Sequence, residues 1–468
     1  MDSSPSELVV VLKSEAVASA RSMLEEHTLA GRLGGISLSP FSTPSALALE
    51  RLARSGESSA RRALRVESAR FVSGSVRDRS LDSALDEVRS LPEVETAYWK
   101  PGVENPLAPP SAADLADSQS SSVLASDFRS HQGYLDAEPG GVNVATAWSR
   151  TGGTGAGVRV IDIEGGWRLT HIDLLANSGG LLGGSQYPER SWRDHGTAVL
   201  GVMGGDSGDM GVTGICPDAI LSCVSHGTLG SRGAIETATG FLRAGDVMLL
   251  EMHRPGPRFD FGNRDDQKGY IAIEWWPDDL LAIRSAVAKG ITVVEAAGNG
   301  GEDFDGALYD TPAPGFPATW RNPFAGAIDS GAVMVGAGAP PGGVHGPDLS
   351  RLDFSNWGSR VDCQGWGRGV FTTGYGDFFS DVEDAGNEDF WYTSAFSGTS
   401  SASPIVAGVV ACLQGIAKAA GIVLTPLELR AALRATGSAQ KPSSSSGLAL
   451  QNIGTRPNLG QLLSHLGL

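Results

Sequence analysis

The chain has 468 residues, 36 basic and 53 acidic side chains, a net charge of −17 and 41% hydrophobic residues. That apolar content supports a folded core and excludes a disordered chain. The negative charge argues against nucleic acid or an anionic membrane surface as the main partner. The length implies one large domain plus a smaller one, or two to three medium domains.

The first residues, Met-Asp-Ser-Ser-Pro-Ser-Glu, have no basic n-region and no apolar h-region. No uninterrupted apolar run approaches the ~18 residues of a membrane span. The expectation is a soluble protein, secreted by a route without a classical signal peptide or cytoplasmic before release. Cys216, Cys223, Cys363 and Cys412 form no CxxC pair. They are expected to be mostly reduced, with Cys412 a buried thiol inside an apolar helix.

Residues 1–105 read as a small α/β unit. Strands are expected at Leu8–Leu12, Leu33–Leu38, Leu64–Val72 and Val94–Tyr98, with helices at Glu15–His27 and Ser80–Leu91. This is the split-βαβ order, β-α-β-β-α-β. The polar, Ser-rich stretch Ser39–Ala60 reads as an insertion or loop. Residues 106–126, rich in Pro, Ala and Ser, read as a linker. From 127 to 468 buried strands alternate with helices. Strands are expected at Val158–Ile163, Val247–Leu250, Ile291–Val294 and Val333–Val335, with a helix near Leu280–Lys289. That pattern predicts a parallel sheet covered on both faces, with functional residues at the carboxyl ends of its strands. The glycines of Gly153-Thr154-Gly155-Ala156-Gly157 precede a strand and lack phosphate-loop spacing, so they read as a turn.

Four short stretches bear on chemistry. Asp162 lies in the buried strand Val160-Ile161-Asp162-Ile163-Glu164, where a carboxylate needs a hydrogen-bonded or charged partner. His195 opens a small-residue helix in Asp194-His195-Gly196-Thr197-Ala198-Val199-Leu200-Gly201. Asn299 follows a strand in Ala296-Ala297-Gly298-Asn299-Gly300, placed to donate toward an oxyanion. Ser400 stands in Phe396-Ser397-Gly398-Thr399-Ser400-Ser401-Ala402-Ser403-Pro404, at the joint between a glycine loop and a long apolar helix. Free N–H groups at a helix start favour developing negative charge. Singly, each has a bland reading: a capping Asp, a structural His, a turn Asn, an N-cap Ser. Together, acid, then histidine, then a distant serine form the chain order of one convergent catalytic triad.

These motifs resemble the subtilisin-like serine peptidases, over about residues 130–465. The resemblance implies a subtilisin-like parallel sheet with helices on both faces, preceded by a ferredoxin-like prodomain (1–105) that acts as folding chaperone and inhibitor. It implies Ser400 as nucleophile, His195 as general base and acid, Asp162 orienting the imidazole and Asn299 in the oxyanion hole. One such donor is worth about 3 kcal/mol in the transition state. The order Ser-last and the absence of G-x-S-x-G exclude an α/β-hydrolase esterase.

The chain departs from the family pattern where Asp162 is followed by Ile163-Glu164-Gly165 in place of Thr/Ser-Gly. His171, in His171-Ile172-Asp173-Leu174, reads as structural. Glu251, Met252, His253 and Arg254 replace the small residues that line the family's P1 pocket, and Glu295 replaces another. Glu251 or Glu295 could select a basic P1 side chain. The favoured alternative is structural pairing with an arginine such as Arg254 or Arg258. The stretches Glu274-Trp275-Trp276-Pro277-Asp278-Asp279, Cys363–Gly367 and Gly374–Asp377 read as core and rim. They also resemble a bacterial branch that includes a signal-peptide-less developmental protease of myxobacteria. No cofactor is expected. Calcium, common in the family, stays unassigned because Asp305, Asp310 and Asp329 are scattered, and no metal ligands are assigned. The expected partners are a protein substrate and the chain's own prodomain or a separate inhibitor protein. The alternatives to an active enzyme are a catalytically silent fold used for binding and a latent zymogen.

Overall fold

The computed structural model describes residues 6–17, 36–40, 59–76, 81–108, 111, 127–326, 328–380, 387–443 and 451–468. In the N-terminal unit, β1 (Glu7–Leu12), β2 (Ile36–Pro40), β3 (Phe71–Val76) and β4 (Val94–Lys100) form an antiparallel sheet in the order β2-β3-β1-β4. That is the order a split-βαβ chain produces. The helix Leu81–Arg89 lays Ala84, Leu85 and Val88 over Leu8, Val10 and Val72. The strand expected at Leu64–Val72 is instead the end of a helix, Ser59–Ser68, and the start of β3. The run Ala60-Arg61-Arg62-Ala63-Leu64-Arg65 consists of residue types with high helix propensity, which favours a helix there. The helix expected over Glu15–His27 is seen only to Val17, and its remainder lies outside the described residues. So do most of Ser39–Ala60 and most of the 106–126 linker.

The large unit is built on seven parallel strands. In chain order its strands are β5 (Arg159–Glu164), β6 (Ser178–Gly183), β7 (Ile220–Ser225), β8 (Val247–Leu250), the hairpin strands β9 (His253–Pro255) and β10 (Tyr270–Ala272), then β11 (Thr292–Ala296), β12 (Val333–Gly338), β13 (Cys363–Trp366) and the antiparallel pair β14 (Val370–Thr373) and β15 (Tyr392–Phe396). The main sheet runs β13-β12-β11-β8-β5-β7-β6. Successive strand residues point to opposite faces. Val160, Leu249, Val294 and Val335 pack on one side with the helices Arg190–Gly204 and Thr399–Ala419. Ile161, Ile163, Met248 and Val293 pack on the other with the helices Gly230–Phe241 and Pro277–Ala288. The helix Thr399–Ala419 is long and apolar enough to cross a membrane by composition, yet its apolar window is wholly buried as the core helix of the sheet.

The two units meet through the tryptophan- and acid-rich stretch. Val9, Val11, Phe71 and Tyr98 of the small sheet share one apolar cluster with Ile271, Trp275, Trp276 and Phe316. At its edge Lys100, fully buried, pairs with Asp278 and lies 3.0 Å from Asp279. Arg254 joins the same group, 3.1 Å from Asp279. Burial alone would lower the Lys100 pKa, but the two aspartates outweigh it and keep the ammonium charged. Removing one partner of a buried pair leaves uncompensated charge. Lys100→Ala is therefore expected to cost the protein about 3–5 kcal/mol, read as a lower urea midpoint.

Candidate active site

The pleat of β5 decides which acid meets the histidine. Asp162 and Glu164 are two residues apart, so both point to the face covered by Arg190–Gly204 and Thr399–Ala419. Only Glu164, the last strand residue, reaches His195 in the second turn of the first of these helices. Its Oε2 lies 2.7 Å from His195 Nδ1, with both side chains fully buried. Asp162, expected to orient the imidazole, sits one pleat deeper and instead accepts a hydrogen bond of 2.7 Å from Trp167 Nε1. Close packing fixes this corner: a Cβ on Gly165 would strike the Trp192 ring, and one on Gly196 would strike Gly166 O and the Trp167 ring. The His195 ring packs edge-on against Phe396, centroids 5.5 Å apart.

Electrostatically this is a buried cluster of carboxyls around one imidazole. Asp162 Oδ1, Glu164 Oε1, Glu251 Oε2 and His195 Nε2 are buried with no hydrogen-bond partner among the described residues. Burial raises the pKa of Asp162, Glu164 and Glu251, and their mutual repulsion pushes Asp162 and Glu251 higher still. Burial pulls His195 down to about 3, against the opposing charge of Asp162. The imidazole is thus neutral and able to accept a proton.

Ser400 sits in the first turn of the helix Thr399–Ala419, facing a segment of the chain's own N-terminal unit. From Lys100 the chain runs on past Arg254, which donates to Pro101 O, and then pairs Glu104 with His253. The Glu104–His253 pair is antiparallel, with N···O distances of 3.0 and 3.2 Å. Two residues later Pro106 O lies 2.9 Å from Ser400 Oγ and 3.4 Å from Ser400 N. Ser397 Oγ then donates to Ala108 O at 2.5 Å. Gly398, at φ 106°, makes the approach possible, since a Cβ there would lie 2.1 Å from Pro106 O. Asn299 is beside the nucleophile: its Oδ1 accepts from Thr399 N and Oγ1, each at 3.0 Å, and its Nδ2 donates to Gln267 Oε1 at 3.0 Å.

The expected substrate-binding residues divide. His253 lines the occupied cleft through its backbone, and its Nδ1 accepts from Asn299 N at 3.2 Å. Glu251 is turned inward beside the carboxyl cluster and accepts from Ser403 Oγ. Met252 is buried in the opposite core. Glu295 follows Val294 on its strand, so the pleat turns it to the opposite face, where it accepts from Glu274 N at 3.1 Å near Arg360. Neither glutamate opens on the cleft, and the arginine near Glu295 is Arg360, with Arg254 and Arg258 engaged by Asp279 and Glu302. His171 is buried, with Nε2 on Trp391 O and Nδ1 accepting from Asp173 N. All four cysteines are buried and unpaired. Among the described residues no group of three or more His, Cys, Asp or Glu could hold a metal ion.

Sequence reasoning missed Glu164, Gln267 and Pro106. A signal for the first was present: Glu164-Gly165-Gly166 supplies an acid directly before a glycine turn, which Asp162-Ile163-Glu164 does not. For the other two no local pattern existed.

A profile of the Subtilase family matches residues 181–452. The match includes His195, Asn299 and Ser400 and begins after the strand that carries Asp162 and Glu164. Subtilisin E of Bacillus subtilis (strain 168) is 25% identical over 309 residues, 64% of this chain and 67% of its own. The intracellular serine protease of Paenibacillus polymyxa is 27% identical over 296 residues, 60% of this chain and 74% of its own. Among solved structures, fervidolysin from Fervidobacterium pennivorans, a keratinolytic enzyme related to subtilisin, aligns with a TM-score of 0.57 at 16% identity. The alignment covers 98% of this chain, which spans 61% of the fervidolysin chain. The epidermin leader peptide processing serine protease of Staphylococcus aureus aligns over 99% of both chains, with a TM-score of 0.57 and 15% identity. The doubly covered parallel sheet, the small antiparallel sheet before it and the matched family profile place this chain in the Subtilase family, the subtilisin-like serine endopeptidases.

Proposed function

We propose that the protein is a serine endopeptidase made as a zymogen, and that the first bond it cuts is its own Pro106–Leu107. The observation that carries this reading is the position of Pro106 O, 2.9 Å from Ser400 Oγ, at the end of a backbone paired with β9. Ser400 Oγ attacks the Pro106 carbonyl carbon and passes its proton to His195 Nε2. Glu164, rather than Asp162, holds the Nδ1–H tautomer and offsets the imidazolium charge. The oxyanion receives the Ser400 N–H and the second N–H of the Asn299 amide, whose first is engaged by Gln267. The tetrahedral species collapses as His195 gives its proton to the Leu107 nitrogen. Water, deprotonated by the same ring, then releases the acyl group as the Pro106 carboxylate.

On this reading the N-terminal unit ends at Pro106, one residue beyond the 105/106 boundary expected from composition. It stays docked through Lys100 and the tryptophan cluster and acts as the inhibitor in cis. The chemistry calls on no cofactor, and calcium remains unassigned. Substrates are extended protein segments that take the place of residues 103–108.

A fluorophosphonate probe followed by intact mass tests the reading. The uncut chain is expected to label slowly, and labelling at Ser400 to rise after loss of a fragment ending at Pro106. A chain that never labels, whatever its state, would return the reading to a catalytically silent binding fold.

A further inference from the structure

One side chain of the segment in the cleft is enclosed rather than displayed. Glu104 is 3% exposed, and Tyr270 Oη donates to its Oε1 at 2.8 Å. Tyr270 is itself fixed: its hydroxyl accepts from Arg264 N at 2.9 Å, and its ring lies 4.8 Å from that of His253. Gln267 stands beside it with φ 53°, in the left-handed region, and is 2% exposed. Its Nε2 donates to Asn105 O at 2.9 Å, while its Oε1 accepts from Asn299 Nδ2. The first residue of β10 therefore grips the side chain third before the presented bond, and the loop before β10 grips the carbonyl that follows it.

We propose that Tyr270 and Gln267, with β9, form a closed subsite for a glutamate or glutamine side chain at the third position before the cleaved bond. The inference rests on Pro106–Leu107 being that bond. A side chain of this length brings its terminal oxygen to Tyr270 Oη. A shorter one leaves that buried hydroxyl without its acceptor, and a lysine offers it no acceptor at all.

Among the described residues, the charged and titratable groups facing the site are Tyr270, Asp265, and His253, which burial holds neutral with a pKa of about 3. Asp265 repels a carboxylate. Burial foremost, and Asp265 to a lesser degree, raise the Glu104 pKa, although the Tyr270 hydrogen bond works the other way. The subsite thus prefers the neutral acid or the amide. A carboxyl whose pKa is raised on binding is held most tightly at low pH, and its grip is lost as pH rises through the bound value. Glutamine has no such dependence.

The full-length chain tests this through the rate of fluorophosphonate labelling at Ser400, which reports how often residues 103–108 leave the cleft. Glu104→Ala and Glu104→Lys are expected to label at least tenfold faster than the parent, and Glu104→Gln no faster. Between pH 5.5 and 8.5 the ratio of parent to Glu104→Gln labelling is expected to rise, a comparison that cancels the titration of His195. Tyr270→Phe is expected to speed labelling of the parent and to erase its difference from Glu104→Ala. Equal rates for all residue-104 variants, or a Tyr270→Phe chain that still separates them, would overturn the subsite. Because Ser400 still labels in that outcome, it is distinct from failure of the protease reading, in which no variant labels.

Discussion

Glu164→Gln is expected to lower the rate of the Pro106–Leu107 cut by about 10⁴-fold, whereas Asp162→Asn lowers it by no more than about tenfold. The two acids are separated by one pleat of β5, and only Glu164 touches the imidazole, at 2.7 Å from Nδ1. A glutamine there can present its N–H group to Nδ1, which favours the wrong tautomer and removes the anion that offsets the imidazolium. Asparagine at 162 keeps an oxygen for Trp167 Nε1. Its amide also removes the carboxylate charge that Glu164 repels. The measurement is the first-order rate at which Leu107 appears as a new N-terminus. A large loss in Asp162→Asn with near-normal Glu164→Gln would restore the assignment drawn from sequence.

The same pair gives a sign to the pH dependence of stability. Asp162 is raised by burial and by Glu164, so it holds its proton more tightly folded than unfolded. Its contribution is complete below the unfolded carboxylate range and is lost as pH rises toward the folded value. Asp162→Asn removes that loss, so its urea midpoint should fall less between pH 5 and pH 9 than that of the parent.

What sequence could yield follows from the range of the interactions involved. Ser400, His195 and Asn299 are carried by short motifs whose conformation is local: the first turn of one helix, the second turn of another and a strand-to-loop turn. The motifs single these residues out, and the structure sets Asn299 against Thr399, the neighbour of Ser400. For the acid, the sequence reading took Asp162, whereas the residue in contact with His195 is Glu164. Settling it needs the register of β5, and a one-pleat error exchanges a partner of Trp167 for a partner of His195. Glu251 and Glu295 failed as pocket residues for a related reason: β8 and β11 are buried on both faces, so hydrophobic runs carry no alternation to say which way a side chain points. The helix at Ser59–Ser68 was hidden by apolar residues compatible with either period. Pro106 and Gln267 could not be read at all, since each matters through contacts with residues far away in the chain.

Ser400→Ala is expected to leave the protein as one 48.5 kDa chain and to abolish fluorophosphonate labelling. Its peptidase rate should fall about a millionfold, the scale measured for the triad of subtilisin, a relative of this chain. Because nucleophile and base act as a unit, Ser400→Ala with His195→Ala should be no slower than Ser400→Ala alone. The decisive experiment mixes the Ser400→Ala chain with a trace of processed parent enzyme. In the reading above, Val103–Ala108 of the variant is seated in its own cleft: Glu104 is paired with His253, Pro106 and Ala108 are buried, and Lys100 is anchored on Asp278 and Asp279. A bond held this way is out of reach of a second molecule, so the variant should stay uncut at Pro106–Leu107 while an added unfolded protein is degraded. Rapid cleavage at that bond in trans would mean that the segment leaves its cleft freely, and that latency does not rest on the contacts between Glu104 and Ala108. Cleavage there with no parent enzyme present would remove Ser400 from the chemistry altogether.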